Sequence, residues 1–275
     1  MTYGKTIELF LVNGVADGLV TAELSNWNGL AIKVPRTDIP KYSRNDLKNP
    51  GVYFLFCEEN GEDSVYIGEA ENILERLLQH IRDYRSSKEK YYWTSVVAFT
   101  GRDLNKAHIR YLEDRFVKIA RDSGKYTVLT KNTYGNTILK ESQIASMEEF
   151  IDNVKILINV LGYKVLDVAE NDNDNEELIL FCSGNGGVGK GFISSGGFTV
   201  LKGSRISDHI TNSFSSCNYN NLRSRLLMNE VIVDGVFAKD YEFNAPSAAS
   251  AVILGRTSNG NVDWKTKDGI KLKDL

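Results

Sequence analysis

Two short apolar runs that flank a polar turn and lead straight into a helical pattern restrict this chain more than any other stretch. They are Gly51-Val52-Tyr53-Phe54-Leu55-Phe56 and Val65-Tyr66-Ile67-Gly68, and the Glu-Glu-Asn-Gly-Glu-Asp between them carries turn chemistry. Runs rich in β-branched and aromatic side chains around such a turn predict a β-hairpin. Beyond it, Ile73, Leu74, Leu77, Leu78 and Ile81 recur at the three-and-four spacing of a buried helical stripe. Arg76 and His80 stand one turn apart on an adjoining face, so a cation and an imidazole are set side by side.

The segments around this core predict more strands and helices. Ile7–Val12, Leu19–Leu24 and Leu30–Val34 read as strands of a small antiparallel unit, with an Asn-Gly turn at 13 and 14. Asp38–Leu47 reads as a short helix. From 51 to about 135 the predicted order is strand, strand, helix, strand (Ser95–Phe99), helix (Leu104–Ala120), strand (Tyr126–Leu129), an α/β arrangement on a small sheet. In the second helix Ile109, Leu112, Phe116 and Ile119 mark the core side, and Glu113 lies beside them. An acid so placed costs free energy unless a cation meets it.

Ser146 and Glu149 form the pattern of a capping box and predict a helix from there to Leu161, stopping at Gly162 and bridging two domains. Asp167–Glu177 is polar and acidic and reads as a linker; residues 151–180 hold seven acidic side chains against two basic ones. The remainder predicts strands at Leu178–Cys182 and Phe198–Leu201, a helix near Leu222–Met228, and a Pro-led helix Pro246–Leu254 closed by Gly255.

Composition sets the outer bounds. A chain of 275 residues with 42% hydrophobic content buries a substantial core and has room for two modest domains, and its net charge of -3 excludes a uniformly basic coat. Cys57, Cys182 and Cys217 have neither Cys-x-x-Cys nor disulfide-style spacing, which points to reduced thiols in the cytoplasm. The start lacks the basic and apolar regions of a signal peptide, and Val154–Leu166 is too short and too often broken by lysine to span a membrane.

Gly184-Asn185-Gly186-Gly187-Val188-Gly189-Lys190 has the Gly-x4-Gly-Lys frame of a phosphate-binding loop. Gly191 stands where a magnesium-binding Ser or Thr is required, and the Gly- and Ser-broken segment that follows does not predict the necessary helix. A glycine-rich hairpin is the better reading.

Gly-Val-Tyr at 51–53, Tyr-Ile-Gly at 66–68, Arg76, His80, Glu113 in the second helix and Asn132 after a short strand follow one another in an order that resembles the GIY-YIG nuclease family. Residues 243–260 with Trp264-Lys265 resemble the C-terminal domain of unknown function that accompanies many bacterial members. The resemblance implies an α/β fold, a small antiparallel sheet flanked by helices, with a second, smaller α+β domain. Its domain map is a β-rich extension at 1–48, a nuclease domain at 49–140, a bridging helix and linker at 141–178, and a nucleic-acid or partner-binding domain at 179–275.

The implied activity is metal-dependent hydrolysis of phosphodiester bonds in DNA, duplex or branched. Glu113 is then the ligand for Mg2+, with Mn2+ as substitute, Arg76 forks onto phosphate, and Tyr66 takes the proton of water. Tyr53 orients phosphate or water, His80 bonds a tyrosine hydroxyl or the phosphate, and Asn132 anchors phosphate or a turn. Taken singly, each has a plain reading: core aromatics, a surface Arg paired with Glu75 or Asp83, a helix-surface acid. The alternative for the whole is a non-catalytic binding or interaction module that retains the fold. Glu69 is a departure, because family members often carry Lys there; either Lys131 or Lys90 substitutes, or the acidic entrance restricts substrate choice or weakens activity. His108 and His209 match nothing and read as surface or capping residues. Tyr91, Tyr92 and Trp93 beside Lys88 and Lys90 are candidates for stacking on bases, with core packing expected to account for at least half of them. Lys202, Arg205, Arg223, Arg225, Arg256, Lys265 and Lys267 give the tail a basic excess suited to duplex.

Overall fold

The structure, a computed structural model, describes residues 4–59, 62–133, 135, 137–167, 178–194 and 196–275. The tip of the predicted first hairpin and residues 168–177 of the acidic stretch lie outside the described residues. Two compact units divide the chain, the first made of residues 1–121 and 125–167 and the second of 122–124 and 168–275.

The first unit is mixed α/β, built on one seven-stranded sheet. Its strands are β1 (Ile7–Leu11), β2 (Val20–Leu24), β3 (Gly29–Pro35), β4 (Gly51–Glu59), β5 (Glu62–Ala70), β6 (Trp93–Gly101) and β7 (Thr127–Val128), in the spatial order β1-β2-β3-β6-β4-β5-β7. The hairpin β4–β5 pairs Tyr53 with Gly68 and Leu55 with Tyr66, and β6 lies on the other side of β4. All neighbours are antiparallel except β5 and β7. The N-terminal strands therefore belong to the sheet that carries the hairpin, joined to it where β3 pairs with β6.

Period-two alternation sorts β4 into two cores. Val52, Phe54 and Phe56 face a layer containing Ile109, Leu112 and Phe116 of α2 (Lys106–Ser123) and Phe150, Val154 and Leu157 of α3 (Glu141–Val160). Tyr53, Leu55 and Cys57 face the other way, towards Ile73, Leu74, Leu77 and Ile81 of α1 (Ile73–Arg85). Asn72 caps α1 by accepting a hydrogen bond from the Glu75 N–H at 3.2 Å.

Two local expectations are corrected. In place of a helix over Asp38–Leu47 there are two 3-10 turns, Arg36–Lys41 and Asp46–Lys48; Pro40, inside the first, has no N–H with which to extend it. α3 begins at Glu141, ahead of the Ser146 box. Gln143 Oε1 accepts from the Lys140 N–H at 3.1 Å, while Ser146 sits mid-helix and donates to the Ser142 carbonyl at 3.1 Å. The apolar stripe of α3 is spent on the first unit's core.

The second unit has a four-stranded antiparallel sheet, β8 (Leu180–Gly184), β9 (Gly187–Ser194), β10 (Gly197–Val200) and β13 (Tyr241–Phe243), in the order β13-β10-β9-β8. A ribbon of β11 (Ile232–Val233) and β12 (Val236–Phe237) and helices α4 (Asn212–Ser215), α5 (Asn218–Met228), α6 (Pro246–Leu254) and α7 (Gly260–Asp263) complete it. α6 is buried from Ala248 to Leu254 and ends on Gly255 at φ +61°, the left-handed value that glycine takes without strain. Glycine in β9 is equally specific: a Cβ on Gly187 would lie 2.3 Å from the Ile253 carbonyl oxygen. The Gly-rich 184–190 segment is thus the turn and start of the β8–β9 hairpin, as read from its sequence. Among the described residues no helix is long and apolar enough to cross a membrane.

Candidate active site

The hairpin register builds the centre of the site. Tyr53 and Tyr66 lie diagonally across β4 and β5 on the face covered by α1, with ring centroids 6.3 Å apart. Gly68 stands opposite Tyr53, and a Cβ there would come within 2.5 Å of the Tyr53 hydroxyl. Gly51 has the same kind of constraint, with the Phe99 carbonyl oxygen 2.2 Å from where its Cβ would be. These glycines leave room for groups that a side chain would displace.

Tyr53 is fully buried, and its hydroxyl lies 2.9 Å from Nε2 of His80. His80 Nδ1 in turn lies 2.6 Å from Oε1 of Glu89. Tyr66 is only half-buried, its ring 5.2 Å from the His80 ring and stacked on Tyr91 at 5.7 Å. Burial pushes both phenols above their ordinary value, and Arg76 lies close enough to each to oppose the shift. Arg76 itself is half-buried and donates to Gln79 Oε1 at 2.7 Å. It lines an open groove of about 500 Å³ together with Glu69, Glu71, Arg82 and Lys106.

Glu113 is 6% exposed, and its Oε2 is buried with no hydrogen-bond partner. Burial, Glu69 and Asp114 push its carboxyl up to about 7, against the pull of Lys106 and Arg110. Both cations precede Glu113 on one face of α2, at seven and three residues, and both also reach Glu69: Lys106 Nζ is 3.0 Å from Glu69 Oε2 and Arg110 Nε is 3.9 Å from Oε1. Asp114 is held below the usual carboxylate range despite burial by its bonds from Lys118 at 2.7 Å and Thr133 at 2.6 Å. Beside these satisfied acids Glu113 keeps an orphaned oxygen.

That orphaned carboxylate is the observation that fits a hard divalent cation, which prefers oxygen ligands and relieves the cost of a buried negative charge. Among the described residues no group of three or more His, Cys, Asp and Glu side chains is arranged to hold a metal.

Tyr53 and Tyr66 thus lie within electrostatic reach of both Arg76 and Glu113, and both rings pack against His80. Asn132 is exposed on the loop between Thr130 and Thr133. The loop is pinned at both ends, since the Thr130 hydroxyl accepts from Ile67 N at 2.8 Å and donates to Ile67 O at 2.7 Å, while Thr133 bonds Asp114. Trp93 is wholly buried under the Arg36 guanidinium, 4.6 Å from its ring, and Tyr91 packs on Tyr66, so of the three expected stacking aromatics only Tyr92 offers much surface. His108 is buried, with Nδ1 3.1 Å from the Asp103 carbonyl oxygen, whereas His209 is exposed. Sequence reading missed Glu89 and Lys106. The helical spacing from Glu113 was a usable signal for Lys106; nothing in the Ser86–Lys90 loop singles out Glu89.

In the second unit Arg223 is buried and caps backbone carbonyls, bonding Val252 O at 3.1 Å and also Ser207 O, and Arg256 is tied to Asp263 at 2.8 Å. Arg223, being buried, is removed from the expected set of duplex contacts. Residues 180–275 match the family model described as Domain of unknown function (DUF4357). No curated protein matches the chain, and no solved structure does.

Proposed function

We propose that the first unit is a metal-dependent endonuclease domain of the GIY-YIG type, hydrolysing phosphodiester bonds in DNA, and that the chain works in the cytoplasm, where its three free thiols stay reduced. The family match covers the second unit alone, so this reading rests on the first unit's own residues. The observation that carries it is the orphaned Glu113 carboxylate beside a buried Tyr–His pair and a half-buried Arg, a costly set that a binding module has no use for.

In this reading Glu113 holds Mg2+ or Mn2+, and the bound cation supplies charge stabilisation to the phosphoryl and leaving oxygens. Arg76 reaches the phosphate from the groove as a planar fork, with Lys106 beside it as a point charge. Tyr66, the more accessible phenol, is the base: it gives its own proton to solvent and, as the phenolate, takes the proton of the attacking water. Tyr53, wholly buried and bonded to His80, orients rather than reacts. Tyr66 serves as base only when positive charge offsets its burial, which Arg76 begins to do.

The test is a plasmid-nicking assay of the purified full chain with magnesium, manganese and a chelator, on supercoiled, linear and branched DNA. Metal-dependent nicking lost in the chelator is expected. DNA binding without cleavage under every metal would favour the non-catalytic module.

A further inference from the structure

We propose that Glu89 is a positioning residue of this site: it keeps a proton on Nδ1 of His80, so that Nε2 faces the Tyr53 hydroxyl and fixes its direction. The inference rests on reading the cluster as a phosphodiesterase site, and it begins from hydrogen-bond chemistry. An ionised carboxylate only accepts, so the 2.6 Å contact between Glu89 Oε1 and His80 Nδ1 requires the proton on Nδ1. The 2.9 Å contact to Tyr53 is then left to Nε2, which accepts the phenol proton while the imidazole is neutral. Although burial opposes it, the hydrogen bonds from His80 and Tyr91, with the charge of Arg36, hold Glu89 below the usual carboxylate range, in keeping with an ionised acceptor.

The backbone is arranged to deliver this contact. α1 ends at Arg85, Ser87 turns back in the left-handed region at φ +57°, and the Lys88 and Glu89 N–H groups converge on the Asp83 carbonyl oxygen at 2.9 and 3.3 Å. The polar chain runs through low-dielectric surroundings: Tyr53 is fully buried, His80 is 3% exposed, and the Glu89 side chain is 9% exposed. Apolar residues of similar volume would join α1 to the sheet at no greater cost, because a buried ionic chain adds little net stability. An acid–imidazole–hydroxyl series is instead the arrangement that selects one tautomer and aims one oxygen.

The experiment is long-range nitrogen-15 NMR of the histidines in the full chain, assigned with His80→Gln, beside steady-state cleavage by wild type, Glu89→Gln and Glu89→Asp. The expected results are a protonated Nδ1 on His80, a loss of about 10- to 100-fold in kcat for Glu89→Gln with KM and DNA affinity within about two-fold, and partial recovery in Glu89→Asp. A His80 ring with Nδ1 bare and the proton on Nε2 overturns the proposal, and so does wild-type kcat in Glu89→Gln. If wild type cuts no DNA, the nuclease reading falls by itself, and the protonation of Nδ1 still decides what Glu89 does to His80.

Discussion

Lys106 Nζ lies 3.0 Å from Glu69 Oε2, so the acid that follows Tyr-Ile-Gly is neutralised from the helix that carries Glu113. Glu69 raises the Glu113 carboxyl and Lys106 lowers it. Glu69→Gln is therefore expected to bring the Glu113 midpoint down from about 7, and Lys106→Met to take it higher. Carbon-13 NMR titration of labelled glutamate carboxyls in the metal-free protein reads both shifts. A midpoint that stays put in both variants would mean that neither Glu69 nor Lys106 helps to set it.

The same raised carboxyl makes stability depend on pH. The folded state keeps the Glu113 proton up to about 7, whereas the unfolded chain releases it near the ordinary 4.5. Between those values the folded state binds more protons, so this group's contribution to stability falls as pH rises through the window and is fully lost above it. A difference of that size corresponds to about 3 kcal/mol as an upper bound. Glu113→Gln, which never ionises, is expected to match wild type in urea unfolding near pH 4 and to exceed it by up to about 3 kcal/mol near pH 8 without metal. Equal stabilities near pH 8 would contradict a carboxyl raised by burial.

How far the sequence exposes all this depends on the range of the forces involved. The hairpin, α1 and the core face of α2 follow from periodicity and turn chemistry, which are local, and Tyr53, Tyr66 and His80 came with them. The start of α3 did not, because the Ser146 pattern mimics an N-terminus while the bond that marks one, from the Lys140 N–H to Gln143, has a lysine with weak capping preference at the N-cap. The sharing of one sheet by β3 and β6 is a pairing across more than fifty residues, set by the global packing of both faces. Glu89 was invisible for a related reason: a polar residue in a polar loop acquires meaning only when the loop folds back on His80. Arg223, basic in sequence, is buried and spent on the carbonyls of Val252 and Ser207, so counting charges overstates the surface by that residue.

In the second unit the Gly-rich segment should bind no nucleotide. Its residues from Gly187 onward form strand β9, which leaves no helix N-terminus to hold phosphate, and the Lys190 N–H bonds Ser204 Oγ at 3.0 Å. Calorimetry with magnesium and ATP or GTP is expected to show no heat of binding. Gly187→Ala is expected instead to destabilise the protein by about 2 kcal/mol or more, since the new Cβ meets the Ile253 carbonyl oxygen and either β9 or α6 must move. Micromolar nucleotide affinity abolished by Lys190→Ala would overturn the hairpin reading.

Tyr66, Arg76 and Glu113 should behave as one catalytic unit, so that the costs of removing them do not add. Glu113→Gln keeps shape and removes the charge proposed to hold the cation; metal-dependent cleavage is expected to vanish while DNA affinity stays within about three-fold, because binding is expected to rest on dispersed phosphate contacts. Tyr66→Phe removes the proton acceptor from the more accessible of the two phenols and is expected to cost about 100-fold or more in kcat. The double variant should be little worse than either alone. Arg76→Lys should fail to restore the loss seen in Arg76→Ala, since a point charge cannot reproduce the fork. Single-turnover cleavage with magnesium, beside fluorescence anisotropy for DNA binding, separates chemistry from affinity. If Glu113→Gln cuts at the wild-type rate, the metal assignment fails and the hydrolytic mechanism with it. If Tyr66→Phe is the variant that keeps full activity, the base must be sought along the chain from Tyr53 to His80, where the buried hydroxyl already has a nitrogen waiting for its proton.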